Sequence, residues 1–377
     1  MKINRFTGLD NQNDPLDVGL QGLTIAKNVD IDRKGQIETR NGFALAWSGL
    51  IADMWNNLVL TMAGDLVRIN PDGDFEQLST GLSGDSLTGV EVAGNTYFST
   101  GAFNGVITGS AVREMGLPYP IVSAVSGVGN LLSGRYLITA TTVAPDGRES
   151  GAPLARVIDV ADGSSIVINV TTESGYTANI YMSGRDGEEL YFMGNLNSLL
   201  VNEPVQTLSS NDPIDRQYKG SMPEGTIFEE YRGHLLVAYD DNYLCYSDPL
   251  DYELCSYINN IYPFDSAITM VVSVEHGVFV STKKEIFYAS GETPESWVFR
   301  SVYASPAKAG TGKRISLDNL GEGAIGYGAM FVTEEGTICV GMPDGGVQDL
   351  THKKFKLDVN RELTAVVQDS KYVVATV

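Results

Sequence analysis

Apolar residues in this chain recur in short runs of about four to eight positions, rich in Val, Ile, Tyr, Phe and Thr, each closed by Gly, Asn or Asp. The i, i+3, i+4, i+7 spacing of an amphipathic helix is missing almost everywhere, so the pattern predicts strands joined by tight turns. LVLTMAGDLVRINPDGDF (58–75) reads as strand, AGD turn, strand, PDG turn, and VEVAGNTYFSTG (90–101) repeats the plan with AGN. HLLVAYDDNYLCYSD (234–248), VVSVEHGVFVSTKKEIFYASG (271–291), GAMFVTEEGTICVGMPDGGVQDL (328–350) and LTAVVQDSKYVVATV (363–377) continue it. The pairs Asp72-Gly73, Asp146-Gly147, Asp186-Gly187 and Asp344-Gly345 are hairpin signals, because Asp tolerates the turn and Gly supplies the positive φ.

These hairpin units are alike in style but keep no strict period. None is large enough to hold a core alone, and radial packing into a β-propeller or face-to-face packing into a large sandwich would bury them. The middle of the chain differs. GLPYPIVSAVSG (116–127) places two prolines around Tyr119, a domain junction. SGRYLITATTVAPDGRESGAP, SSIVINV, TANIYMSG and ELYFMGNL then follow at the spacing of an immunoglobulin or fibronectin type III-like sandwich, over 117–205. SSNDPIDRQYKGSMPEG (209–225) is a polar return linker.

Composition narrows the function classes. Hydrophobic residues make up 43% of the 377, enough for real cores. No run approaches the ~20 apolar residues of a membrane span, and MKINRFTGLDNQNDP shows no secretory pattern, so cytoplasmic folding is the expectation. A net charge of -21 disfavours sequence-reading nucleic-acid proteins, which need Lys and Arg for phosphates. Cys245, Cys255 and Cys339 are too few for a disulfide framework and lack CxxC spacing, so they read as small core side chains.

NVDIDRKGQIETRNGF (28–43) admits three readings. As a calcium loop it has Asp30, Asp32 and Gly35 in place, but Lys34 sits in the cation's shell and Asn41 replaces the closing Glu. A phosphate loop lacks GKS or GKT and a βα setting. A turn at RKG between two strands, with Gly35 at positive φ, requires nothing special. The turn is the reading adopted.

The surroundings of that turn carry a family likeness. GLDNQNDPLDVGLQGLTIAKNVDIDRKGQIETRNGF (8–43) resembles the N-terminal segment of the tail nozzle or tail-hub propellers of short-tailed bacteriophages, through Ala26, Asn28, Val29, Asp30, Asp32, Gly35, Arg40 and Gly42. HLLVAYDDNYLCYSDPLDYEL, VEHGVFVSTKKEIFYASG and FVTEEGTICVGMPDGGVQDLT resemble its later blades, and GRYLITATTVAPDGRES is similar to a fibronectin-like module in some members. These are turn and strand motifs and carry no chemistry.

The resemblance implies an all-β chain: a β-propeller of about six blades with an inserted immunoglobulin/fibronectin-like β-sandwich. The expected parts are an N-terminal arm (1–25) lying across a neighbour, a first propeller part (26–116), the insertion (117–205) and a second propeller part (206–377). It further implies a structural virion protein, made in the host cytoplasm and built into the phage tail. There it would form a ring of copies, a homohexamer, below the head-to-tail adaptor, with tail fibre proteins as further partners. Genomic DNA would pass an acidic wall during ejection without sequence-specific binding, and no membrane insertion is implied. Wall charges would act only within the ~8 Å screening length at 0.15 M salt.

A search for reaction chemistry gives no catalytic, metal or cofactor residue. His234 opens a strand, His276 sits in the VEHG turn and His352 in a basic loop, each without a readable partner. AKAGTGKRIS (307–316) has Gly310 and Gly312 too close for a Walker loop and reads as a flexible loop. The sialidase box SxDxGxTW is absent. Tyr243, Tyr246, Tyr252, Tyr257 and Tyr262 divide among core, subunit interface and ligand roles. Lys353, Lys354 and Lys356 form a basic patch, a docking contact or a solvated loop. The chain is therefore expected not to be an enzyme. The alternatives are a carbohydrate-binding or carbohydrate-active propeller acting in host-receptor recognition, marked by convergent carboxylates and aromatics at the axis, and a minor tail-tip protein.

Overall fold

The computed structural model describes residues 8–19, 21–27, 29–31, 36–39, 45, 47–204, 208–319, 325–351, 354–368 and 371–376. Their regular structure is strand apart from three short 3-10 turns, and turns and irregular segments join the strands. Five antiparallel four-stranded sheets span 51–79, 84–114, 227–263, 268–303 and 313–349, and a two-stranded sheet pairs Leu363–Gln368 with Lys371–Thr376. The first strand of each sheet packs against the first strand of the next, from Ile51–Trp55 through Gly84–Val92, Ile227–Tyr231, Ile268–Val274 and Lys313–Ser316 to Leu363–Gln368. All six strands line one cavity. The sheets are thus the blades of a β-propeller.

Packing explains why many of these strands are apolar throughout. In His234–Tyr239, Leu235 and Val237 point into the core shared with the second blade, while Leu236 and Ala238 point into the core shared with the fourth. In Gly277–Thr282, Val278 and Val280 face the third blade and Phe279 the fifth. A blade covered on both faces needs hydrophobic residues at both strand parities.

Turns repeat one geometry. Gly64, Gly73, Gly147, Gly336 and Gly345 each donate an N–H to the carbonyl three residues earlier and hold φ between 82° and 90°. This is a type I turn closed by a left-handed residue, where Gly avoids the Cβ clash. Asp72-Gly73 and Asp344-Gly345 join consecutive strands in this way. At Asp186-Gly187 the aspartate itself takes the positive φ, 53°, and Asp146-Gly147 closes on the single bridge Val143–Glu149.

Between the second and third blades lie two facing sheets. One is ordered Ile121–Leu131, Ser164–Thr171, Ser198–Val201; the other Arg156–Val160, Gly134–Val143, Thr177–Ser183, Leu190–Asn195. Ile138, Ala140, Ile166, Ile168, Ile180 and Met182 fill the core between them.

Two expectations change. The second half of AKAGTGKRIS is no loop: Lys313–Ser316 is the axial strand of the fifth blade, and Thr311 is buried. The arm is tied to its own chain: Gly8–Leu9 runs parallel to Gly22–Leu23, and the Asn11 side chain donates to the Lys356 carbonyl (2.9 Å) and accepts from its N–H (3.0 Å). Lys371–Thr376 pairs with Leu363–Gln368. In NVDIDRKGQIETR the two strands pair as the hairpin reading has them, Val29–Ile31 with Ile37–Thr39, while Asn28, Asp32, Lys34, Gly35, Arg40, Asn41 and Gly42 lie outside the described residues.

Candidate functional site

Two places concentrate charge: the propeller axis and the joint with the inserted unit. The axial cavity holds about 470 Å³, the size of a small-molecule pocket. Asp53, Glu91, Glu229, Lys313 and Arg314 contribute to its wall. Asp53 is already engaged, Oδ2 accepting the Leu87 N–H (2.6 Å) and Oδ1 the Met54 N–H (2.7 Å). Glu229 Oε1 accepts the Ser273 hydroxyl (2.9 Å) and the Glu230 N–H (3.2 Å). Glu229 touches only the narrow cavity, and burial pushes its carboxyl up to about 7 in spite of these bonds and of Arg314. The Lys313 amine is pushed down by the same burial, partly offset by Glu229 and Asp53. Arg314 lies 4.1 Å from the centre of the Tyr327 ring, a cation–π distance.

Gly312 sets this geometry, since a Cβ there would fall 2.7 Å from the Met270 sulfur and closer still to its Cγ. The cavity can hold a small polar molecule and exchange a proton near neutral pH. Among the described residues, no histidine or cysteine lines it. Trp55 and Phe228 border it, but Phe228 is buried between the second and third blades and Trp55 packs against the core of the first two. The axis therefore collects carboxylates without a free aromatic platform.

The joint is built from three ion groups. Glu253 accepts two bonds from Arg113, one of 2.9 Å, one from Arg148 (3.2 Å) of the inserted unit, and the Gly116 N–H (2.8 Å). Burial raises its carboxyl, but Arg113, Gly116 and Arg148 outweigh that, and the net position is below the ordinary range. Arg216 on the return linker pairs with Asp251 (3.1 Å) of the propeller and Glu149 (3.5 Å) of the insertion. Glu149 also accepts from Thr141, Asn179 and Tyr181. Lys219 pairs with Asp248, and its carbonyl accepts the Tyr119 hydroxyl (2.7 Å). Desolvated on several sides, these charges hold the two units in one orientation.

Residues singled out in the sequence fall mostly into structure. His234 is buried, its Nδ1 2.7 Å from the Ser247 carbonyl and its ring edge-on to Tyr246; His276 is exposed in a turn; His352 and Lys353 lie outside the described residues. Tyr246 stacks on Tyr262, which stacks on Trp297, while Tyr252 meets Tyr97 across a blade boundary and Tyr257 bonds the Ser221 carbonyl. Cys245, Cys255 and Cys339 are free and buried, and burial pushes the Cys245 thiol far up. Glu229, Lys313, Glu253, Arg113, Arg148 and Arg216 were not anticipated. The only available signal was a charge inside an apolar run, as in TIFEEY and GTGKRIS.

No family model matches the chain, and no curated protein matches it. Among solved structures, the chain is similar to BBS1N in complex with ARL6DN in a mercury-soaked crystal, with 11% identity, TM-score 0.31, and coverage of 83% of this chain and 84% of that one. The lead-soaked crystal of the same complex gives 10% identity, TM-score 0.31, and coverage of 82% and 86%. The extracellular domain of the one-component system BT4673 from B. thetaiotaomicron gives 8% identity, TM-score 0.27, and coverage of 91% and 60%.

Proposed function

We propose that the chain is a structural component of a bacteriophage tail, a nozzle subunit that assembles with copies of itself into a ring extending the DNA exit channel. The observation that carries this reading is the charged joint: the insertion is fixed to the propeller by Glu253, Arg216 and Lys219 networks, which makes a stiff two-part block suited to assembly. The likeness of residues 8–43 to tail-hub propellers and the charge of -21, which would repel DNA, support the same reading. An axial cavity of about 470 Å³ admits no duplex, so the DNA path in this scheme runs between copies, not through a propeller. The adaptor would sit on one face of the ring, and the insertion would project outward toward fibres or host.

The test is labelling of the source phage with an antibody against 117–205, followed by electron microscopy. A collar of label at the distal end of a short tail is the expected result. Label only on fibres, or on no particle, would overturn the nozzle role. The convergence of Asp53, Glu91 and Glu229 at the axis favours one second reading, a sugar-binding propeller, and the absence of binding across a glycan array would remove it.

A further inference from the structure

Five blades have four strands and the sixth position has two. The sixth sheet occupies its place in the ring: the Ala365 N–H donates to Gly310 (3.1 Å), the Tyr372 hydroxyl to Thr311 (2.6 Å), and Thr364 borders the axial cavity. Among the described residues no strand pairs with its outer edge. Because Ala365 turns its amide toward the axis, Thr364, Val366 and Gln368 face the second strand and use the backbone of their partners Ala375, Val373 and Lys371. By alternation, Tyr372, Val374 and Thr376 present N–H and C=O groups outward, and among the described residues these backbone groups have no partner. Such an edge is a template for another strand.

Exposed apolar side chains also stand beside this edge. On the first blade, Leu58, Leu60 and Leu66 face the second blade, whereas Phe75, on the opposite face, is 51% exposed. Met54 is exposed at the axial end of the same blade, and Val366 on the sixth sheet. The buried cluster on the sixth-facing side of the fifth blade, Ile315, Leu317 and Val340, is the smallest among the described residues. Exposed apolar side chains thus stand on the first blade and on the sixth sheet beside that position, although Val59 and Val67 on the same face of the first blade are buried.

We propose that the hairpin Val29–Ile31/Ile37–Thr39 of the same chain docks on the open edge of Lys371–Thr376 and completes the sixth blade, closing the ring. The count fits, since two strands plus two gives the four of every other blade. Direction fits as well. With Val29–Ile31 antiparallel to Lys371–Thr376 and Ile37–Thr39 outermost, the strands alternate as in the first five blades, and the chain leaves the outer strand to begin the first blade at Ile51. Chain segments before and after the hairpin are already held in the propeller. Asn11 is bonded to Lys354 and Lys356, just before the sixth sheet, and Ile51–Trp55 lines the axis. The eleven residues 40–50 can span about 36 Å, more than the ~14 Å across a four-stranded blade. The closure is independent of the proposed role in a tail.

Amide hydrogen exchange on the full chain tests it. Closure predicts slow exchange at every position from Tyr372 to Thr376, at any protein concentration. In the double variant Asp30→Pro, Ile31→Pro, the Tyr372, Val374 and Thr376 amides should exchange about a hundred-fold faster while the third and fourth blades keep their protection. Fast exchange at those three amides in the unaltered chain would overturn the proposal, and so would unchanged exchange in the variant. Protection that appears only where copies associate would also overturn it, since the closing strand would then come from another molecule. If the variant unfolds altogether, the exchange of the Tyr372, Val374 and Thr376 amides in the unaltered chain decides alone, slow exchange supporting closure and fast exchange overturning it.

Discussion

The blades and the inserted unit are built from the same kind of strand, but they bury it differently. HLLVAY and GVFVST in the third and fourth blades are buried at almost every position, because each blade is pressed between two others. In Ile121–Leu131 of the insertion, Val122 and Ala124 face the core while Ile121, Ser123 and Val125 face outward and are exposed. One covered face gives alternation; two give an unbroken apolar run. Hydrophobic pattern in a β-protein therefore reports how many sides of a sheet are covered, and that number separates a blade from a sandwich strand.

The sharpest way to break the comparison is a cavity in a doubly covered blade. Phe279 is fully buried, with Tyr288 and Phe331 in the same core. Phe279→Ala should cost about 3–5 kcal/mol in chemical denaturation, because no neighbouring blade can move in to fill the gap. A cost near 1 kcal/mol would mean that blades slide easily and that the two-sided packing is loose.

Next in size is the joint between the two regions. Glu253→Ala leaves Arg113 and Arg148 without their shared acceptor and should destabilise the chain by about 2–4 kcal/mol, short of the full cost of a buried pair because the site keeps some solvent contact. Limited proteolysis of the linker at 209–225 should accelerate with it. The carboxyl lies below its ordinary 4.5, so its contribution is complete above that pH and is lost as pH falls through the lower folded value. The difference between variant and parent should accordingly shrink on acidification.

Strands and turns were legible in the sequence, since LVLTMAGDLVRINPDGDF and VEVAGNTYFSTG carry both the apolar runs and the Gly positions that end them. The charged residues of the axis and the joint were not. Glu253 lies 105 positions from Arg148 and 140 from Arg113, and nothing local marks three such residues as partners. GTGKRIS was misread as a loop for a related reason: its glycines suggest flexibility, but Gly312 is there because the strand passes too close to Met270 for a side chain. Only the neighbouring blade reveals that constraint.

At the axis the expected effect is smaller and depends on pH. Glu229 has a raised carboxyl, so the folded chain holds a proton there that the unfolded chain releases, and stability falls as pH climbs from about 4.5 to about 7. Glu229→Gln removes that fall. The full shift is worth about 3 kcal/mol, and because Glu229 is only half-buried beside the cavity the variant should gain about 2 kcal/mol on its parent at pH 8 and nothing at pH 4, read from denaturation midpoints across the range. A parent with flat stability over this window would show that water reaches the axis freely. The axial strands would then be less enclosed than those farther out in the blades.

The smallest effect is expected on the outer face of the insertion, and it tests the other half of the comparison. Val125 stands opposite Val167, which stands opposite Leu200, in one row across three strands, and Val125 is 58% exposed. Val125→Thr keeps a β-branched side chain of nearly the same shape and adds a hydroxyl that water can reach. In dilute solution it should shift stability by less than about 0.5 kcal/mol. The same exchange at Val278, buried between two blades, would leave a hydroxyl without water and should cost a few times more. If both cost the same, the row on the insertion is covered after all, and its alternating pattern would no longer mark a sheet with one free face.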